Sequence, residues 1–485
     1  MRRIAFVFLS CLLVFSVSSV IAQDLPVDTE AAGVEVLVPD TWIFQSIDDN
    51  NSYWEPFTDI FGDGTILVGA NTHPAEEAGM NAKVAFVDPL TGEVQEFWAF
   101  YTDAGEPWTG PFNEKRQDGN PARFAADRTP GGTRYIVGME STPYLYDEFN
   151  SGDRWFTGYD YDDRVGAVQI YNKTADGPVP ITNCFDPIYQ AYENTGAQNG
   201  QQMRYGGDMR FLSNGNIITC IEDRTKNIVT AGNGAVSTIF NGETGAVIKE
   251  PWNAAGDEGA HSIWSNVAAF SGGFVVRSEA IFSVYDNDGN LRYFFEQGAF
   301  STIADTGRGD DVRIDANINS EFVYFSGKDA GGDIVLSRFN AVITTSGDDL
   351  QGVNEVFVNE TDFMFNSFKR AEVASDEFDN ICVVFDDTST TGTEQSIARI
   401  FNSDMEPVTP SFFAFQKHDG LDTDVFGYRS HEPNVTMNNQ HIVIAADGLT
   451  FDEEISDLTS AEQTFFTVLA NPLKQTTSVL NWEIH

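Results

Sequence analysis

Paired polar turns, each set between short apolar runs, recur along this chain and constrain its fold more than any other feature. The first turn of each pair is Asp63-Gly64, Gly131-Gly132, Asn214-Gly215, Gly272-Gly273, Asn319-Ser320, Asp379-Asn380 or Asn438-Asn439. A β-type run follows each, as in Ile66-Leu67-Val68, Tyr135-Ile136-Val137, Phe274-Val275-Val276 and Ile442-Val443-Ile444. The second turns are Thr91-Gly92, Asp176-Gly177, Thr244-Gly245, Asp288-Gly289, Gly347-Asp348 and Ser403-Asp404, and the seventh unit lacks a clear one. Gly, Asn and Asp tolerate the positive φ of tight turns, so these dipeptides between apolar runs signal hairpins. Two hairpins make one four-stranded sheet. Seven such units at an irregular period of about 45 to 85 residues predict an all-β chain, a β-propeller of seven four-stranded blades.

A ring of blades also removes the exposed sheet edges that tandem hairpins would otherwise leave. The seventh unit lacks its second turn, and the N-terminal runs Val36-Leu37-Val38 and Trp42-Ile43-Phe44 have no hairpin of their own. Residues 34–47 are therefore expected to complete the last sheet. Tandem β-sandwiches are the main rival, and a β-helix, which needs shorter and more uniform coils, is a weaker one. A core of this size is within reach, because 41% of 485 residues are hydrophobic and 39 are Phe.

Residues 1–22 read as a signal peptide. Arg2 and Arg3 form a charged start, residues 4–20 an apolar stretch, and Val20-Ile21-Ala22 a small-residue cleavage site before Gln23. The stretch is short for a spanning helix and no basic stop-transfer cluster follows, so no membrane anchor is expected. Cys11 lies inside the apolar run and is a poor lipidation site. The expected division is residues 23–33 as a linker and 34–485 as a single propeller, secreted or periplasmic. Beyond the signal, Cys184, Cys220 and Cys382 remain. Cys220 and Cys382 sit in apolar strand patterns and read as buried thiols. Cys184 with Cys220 is the one bridge to consider.

The chain carries 28 Lys and Arg against 73 Asp and Glu, a net charge of -45. Binding to nucleic acid needs a basic face, and attachment to an anionic membrane needs basic clusters, so neither partner is expected. Carboxylates spread along the whole sequence read as a solubility device.

The sixth unit carries a more specific pattern. It contains Asp379-Asn380-Ile381-Cys382-Val383-Val384 and, further on, Ala398-Arg399-Ile400-Phe401-Asn402-Ser403-Asp404-Met405-Glu406-Pro407-Val408. This resembles a repeat of exported bacterial β-propeller proteins, of the form D-G-N-x-V-V followed by A-R-x-F-x-x-D-G-x-P, with Met405 where the second glycine is expected. The fourth unit is similar around Tyr285-Asp286-Asn287-Asp288-Gly289-Asn290. The resemblance implies a propeller blade and no particular activity.

Propellers bind ligands at a mouth of the central channel. The segments entering the inner strands hold Lys115-Arg116, Arg204, His261, Arg308, Lys369-Arg370 and Arg429-Ser430-His431. Cations or histidines recurring there, in so acidic a chain, form a basic ring suited to a carboxylate or sulfate ligand. The competing reading pairs them with Asp208, Asp310, Asp311, Glu372 and Glu432 nearby. A long insertion in the second unit adds Tyr144, Tyr146 and Trp155 beside carboxylates, a composition that suits sugar stacking. Residues 159–163 and 286–290 place oxygens at alternate positions and raise calcium as a cofactor, without a complete twelve-residue loop.

The leading expectation is an exported ligand-binding or scaffold propeller that recognises an extracellular glycan or anionic ligand. One alternative is a polysaccharide lyase acting on uronic-acid glycans, with His261 or His431 as base and Arg204, Arg308 or Arg429 neutralising the uronate. The other is a structural surface protein. Gly-x-Ser-x-Gly and His-Glu-x-x-His motifs are absent.

Overall fold

The computed structural model describes residues 26–43, 52–73, 82–98, 123–141, 165–182, 208–223, 234–254, 265–278, 280–304, 312–341, 351–360, 368–387, 395–416, 428–450 and 463–475. They form seven antiparallel four-stranded sheets. The strands nearest the channel are Ser52–Ile60, Arg123–Ala126, Asp208–Phe211, Asn266–Phe270, Val312–Ala316, Phe368–Ser375 and Tyr428–Met437, and they define blades 1 to 7. The architecture is the seven-bladed propeller that the turn pattern predicts, and neither a sandwich nor a β-helix has this sheet order. Among the described residues no helix is long and apolar enough to cross a membrane.

The turns work as the sequence chemistry requires. Gly64, Gly92, Gly215, Gly245 and Gly289 all have φ between 70° and 90°. At four turns the side chain that opens the loop accepts backbone N–H groups two and four residues on: Asp286, Asp329, Asp376 and Asn402. Part of the acidic composition is thus turn chemistry. Met405 itself takes φ 64°, the left-handed conformation that the missing glycine would have adopted, and its side chain is buried.

Closure follows the N-terminal expectation. Val36–Ile43 is the outer strand of blade 7 and pairs antiparallel with Gln463–Ala470, with Val36 opposite Leu469 and Ile43 opposite Thr464. Val38 and Ile43 join Ile60, Val68 and Phe466 in the apolar layer between blades 7 and 1. The stretch read as a linker is packed where it is described. Val27 donates to Ser411 and accepts from Phe413 at the outer strand of blade 6, so the N-terminal chain ties two blades.

Apolar layers fill the other blade contacts. Ala125, Ile136, Met209 and Phe211 form one between blades 2 and 3. Phe270, Phe282, Ile314 and Phe325 form one between blades 4 and 5. Between blades 1 and 2 the filling is aromatic: Phe61, Phe86 and Tyr135 meet edge to face, and Tyr135 stacks on Tyr171 at 5.0 Å. Cys220 and Cys382 are buried free thiols. The Cys184–Cys220 bridge is therefore not formed, and Cys184 lies outside the described residues.

Candidate functional site: the channel end of the inner strands

Each inner strand is the channel-side edge of its sheet, so its outward N–H groups need acceptors from elsewhere. Among the described residues, four of the seven blade contacts supply one in the same way. Asp59 of blade 1 accepts from Ala126 N–H of blade 2 at 2.8 Å. Asp208 of blade 3 accepts from Val267 N–H of blade 4 at 3.0 Å. Asp315 of blade 5 accepts from Ser375 N–H and Oγ of blade 6 at 2.8 and 2.9 Å. Asn434 of blade 7 accepts from Thr58 N–H and Oγ1 of blade 1 at 2.8 and 3.0 Å. These side chains staple the contacts 7–1, 1–2, 3–4 and 5–6 through the inner edge.

Buried carboxylates require cations, and arginines come from across the channel. Toward the ends of the inner strands, Arg128 of blade 2 donates Nε to Asp59 at 2.6 Å and its NH2 group to Thr436 of blade 7 at 3.2 Å. Its other terminal nitrogen lies 3.6 Å from Asp315 of blade 5. Burial works against the Arg128 charge, but Asp59 and Asp315 outweigh it and raise its pKa. One side chain thereby links four blades. No sequence reading singled out Arg128; its place directly after a predicted inner strand is the signal that could have found it.

The other tier gathers more cations. Arg313 of blade 5 forms an ion pair with Glu372 of blade 6 at 2.8 Å. Asn434, oriented by the Thr58 N–H, turns its amide Nδ2 toward Glu372 at 3.3 Å. Arg370 pairs with Glu432 of blade 7 at 2.7 Å, and the Glu432 N–H donates to Asp386. Arg210 pairs with Asp208 at 2.6 Å. Arg123 and Arg210, from blades 2 and 3, each lie 5.7 Å from the ring centre of Phe57 in blade 1. Burial pushes the Glu372 carboxyl above the ordinary glutamate value; Arg313, Arg123 and Arg370 pull it down, and Asp208 pushes it further up. Those couplings bring blades 2, 3, 5 and 6 to one buried carboxyl.

The backbone here departs from regular strand. The inner strands of blades 1, 6 and 7 each shift register near their starts, between Trp54 and Phe57, Phe368 and Ala371, and His431 and Asn434. Glu432 has φ 51°. Bulges re-aim side chains, and here the strand shifts flank Arg370 and Glu432, which meet across two blades.

Of the residues named from sequence, Arg370 lies in this cluster, paired with Glu432 as the competing reading held. Arg429 and His431 are on the inner strand of blade 7, opposite Leu449 and Asp447. Arg116, Arg204, His261, Arg308, Tyr144, Tyr146 and Trp155 lie outside the described residues, as do residues 159–163. In the other calcium candidate, Asp286 accepts from the backbone of Asp288 and Asn290 and from the side chains of Asn290 and Arg292. Among the described residues no group of three His, Cys, Asp or Glu side chains is placed to hold a metal ion.

No protein-family profile and no curated protein matches the chain. Solved structures do. A protein of unknown function from Dyadobacter fermentans aligns over 90% of this chain and 99% of its own, at 10% identity and TM-score 0.46. The phage phi92 endosialidase aligns over 92% of this chain and 70% of its own, at 9% identity and TM-score 0.45. The NanB sialidase of Streptococcus pneumoniae aligns over 88% and 70%, at 12% identity and TM-score 0.40. The fold assignment itself stands on the seven sheets and their closure.

In chemical terms the cluster is a set of guanidinium groups held in fixed orientation by carboxylates and by an aromatic ring. Planar guanidinium forks suit two-point recognition of carboxylate or sulfate oxygens.

Proposed function

We propose that this protein is an exported ligand-binding propeller that takes an acidic glycan at the channel end where its inner strands begin. The observation that carries the reading is the convergence of Arg123, Arg210, Arg313 and Arg370 from four blades. There Arg210 pairs with Asp208, Arg313 with Glu372 and Arg370 with Glu432. The chain as a whole has 28 basic against 73 acidic residues. This end is therefore far less negative than the surface around it, and an anion is drawn to it rather than repelled.

The test is calorimetric titration of polygalacturonate and of a neutral glucan into the secreted protein. Acidic polysaccharide should bind, with affinity falling as salt is added. Replacing Arg204 and Arg308 by Ala should weaken that binding and leave any neutral-glycan binding unchanged. Equal affinity for both polymers, insensitive to salt, would overturn the reading. Assaying the same mixtures for unsaturated uronate ends tests the lyase alternative. Sequencing the secreted protein from its N-terminus should give Gln23 first.

A further inference from the structure

Ring closure packs the blades face to face, but the outer strand of each sheet keeps one side unpaired. Such an edge pairs with another chain unless something blocks it. Blades 2, 3 and 7 carry proline in that strand: Pro178 and Pro180, Pro251, and Pro39. Blade 6 has only Phe412–Phe413 there, and Val27 already pairs beside it. Blades 1 and 5 each place a carboxylate in the strand and no cation, Glu96 and Glu355. Blade 4 differs. Its outer strand, Leu291–Glu296, reads Leu-Arg-Tyr-Phe-Phe-Glu, with no proline or lysine and a balanced charge. Past a register shift at Arg292, residues 293–296 pair regularly with residues 281–284. Tyr293 and Phe295 pack into the layer between blades 4 and 5. On the opposite face Leu291 is 48% exposed and Phe294 60%. Among the described residues no backbone group outside blade 4 bonds to residues 291–296.

We propose that this edge is a dimer interface, where the outer strand of blade 4 pairs antiparallel with the same strand of a second copy of the chain. The strand is self-complementary about its middle. With Phe294 opposite Phe294 on a two-fold axis, Arg292 falls opposite Glu296 on both sides and Tyr293 opposite Phe295. An aromatic pair flanked by opposite charges is a favourable cross-strand arrangement. Centring the axis on Arg292 or on Glu296 instead would set like charges against each other, so charge selects the register. Both residues are exposed. Asp286 of the same chain holds one terminal nitrogen of Arg292, and a guanidinium has five donors to share. The two Phe294 rings then lie side by side on one face and leave water together. Blade 6 shows that an outer edge of this ring accepts an added strand, since Val27 donates to Ser411 and accepts from Phe413. Two chains of net charge -45 repel at a distance, so association should strengthen as salt screens them. That dependence is opposite in sign to the one expected for anion binding at the channel end.

Sedimentation velocity of the full chain, over a concentration series at low and high salt, tests the interface. Wild type should shift from the mass of one chain to twice that mass as concentration rises, and should do so at lower concentration in high salt. Phe294→Lys sets two like charges on the axis and should stay at the single-chain mass. Cross-linking locates the contact. Residues directly opposite in an antiparallel pair have Cα atoms about 4.5–5.5 Å apart, within disulfide range. In a Cys184→Ser background, Phe294→Cys should therefore give a covalent dimer on air oxidation. Leu90→Cys, in a blade 1 turn and 79% exposed, should not. Should the variants fail to fold, hydrogen exchange on wild type gives the answer: amides of residues 291–296 should slow as concentration rises. A single-chain mass under all conditions, a dimer that survives Phe294→Lys, equal cross-linking of Leu90→Cys and Phe294→Cys, or exchange indifferent to concentration would each overturn the proposal.

Discussion

Replacing Asp315 tests whether the inner-edge carboxylates act as staples between blades. Asp315 is 4% exposed and accepts two hydrogen bonds from Ser375, which is 3% exposed. Asp315→Leu keeps the approximate volume and removes both acceptors. A buried N–H left without an acceptor costs about 1–3 kcal/mol, and the stranded hydroxyl adds about 1 kcal/mol. Arg128 keeps its 2.6 Å contact with Asp59 and loses the Asp315 charge in the Leu and Asn variants alike, so the difference between the two variants reads the staple. The expected loss is about 3 kcal/mol, a large share of the 5–15 kcal/mol typical of a domain. Asp315→Asn should lose about 1 kcal/mol or less, because an amide oxygen already does this work: Asn434 accepts the equivalent pair from Thr58. Urea unfolding of wild type, Leu and Asn variants measures the difference, provided the slope with denaturant is unchanged. Adding Ser375→Ala to Asp315→Leu should recover about 1 kcal/mol relative to additivity. Equal losses for Leu and Asn, or a Leu variant as stable as wild type, would refute the stapling argument.

Deleting residues 23–47 removes the outer strand of blade 7 with Val34, Val38 and Ile43, each 5% exposed or less, a loss of at least about 5 kcal/mol; circular dichroism should show the whole domain melting earlier in one transition, and a melt like the parent's would refute the closure. Maleimide labelling followed by mass spectrometry should find no adduct on native Cys220, whose thiol burial pushes up to about 12, or on Cys382, raised by burial alone. Burial works to raise Asp286, but donors from Asn290, Asp288 and Arg292 outweigh it and hold the carboxyl below its ordinary value. Its stabilising contribution is therefore present above the unfolded pKa and lost as pH falls through the lower folded one, so Asp286→Asn should flatten the acid side of a stability profile.

The fold was legible because its signals are local. Asp63-Gly64, Asn214-Gly215 and Asp288-Gly289 name their own turns, and the apolar runs between them name the strands. Even the outlier was visible: Met405 interrupts the repeat, and the structure forces it into the glycine conformation and buries it in compensation. N-terminal closure could be read by subtraction, since the seventh unit lacked a strand and residues 36–44 lacked a partner. The packing of Val27 against Ser411 and Phe413 could not. It depends on where the chain passes after leaving blade 7, which no hairpin rule describes.

The site was legible only in part, because what makes it is the distance between blades. Position in the sequence placed cations near the starts of inner strands, and Arg370 is one of those that arrive. It could not say that Arg128 would reach three other blades, since its partners Asp59, Asp315 and Thr436 lie up to 308 residues away. Nor could it say which carboxylates face the channel in order to hold backbone. That distinction decides the chemistry. Asp59, Asp208 and Asp315 are committed to a neighbouring blade's N–H groups, so releasing them would break the ring's inner edge. Glu372 is held by side chains instead, the Arg313 guanidinium and the amide of Asn434 that also accepts from Thr58.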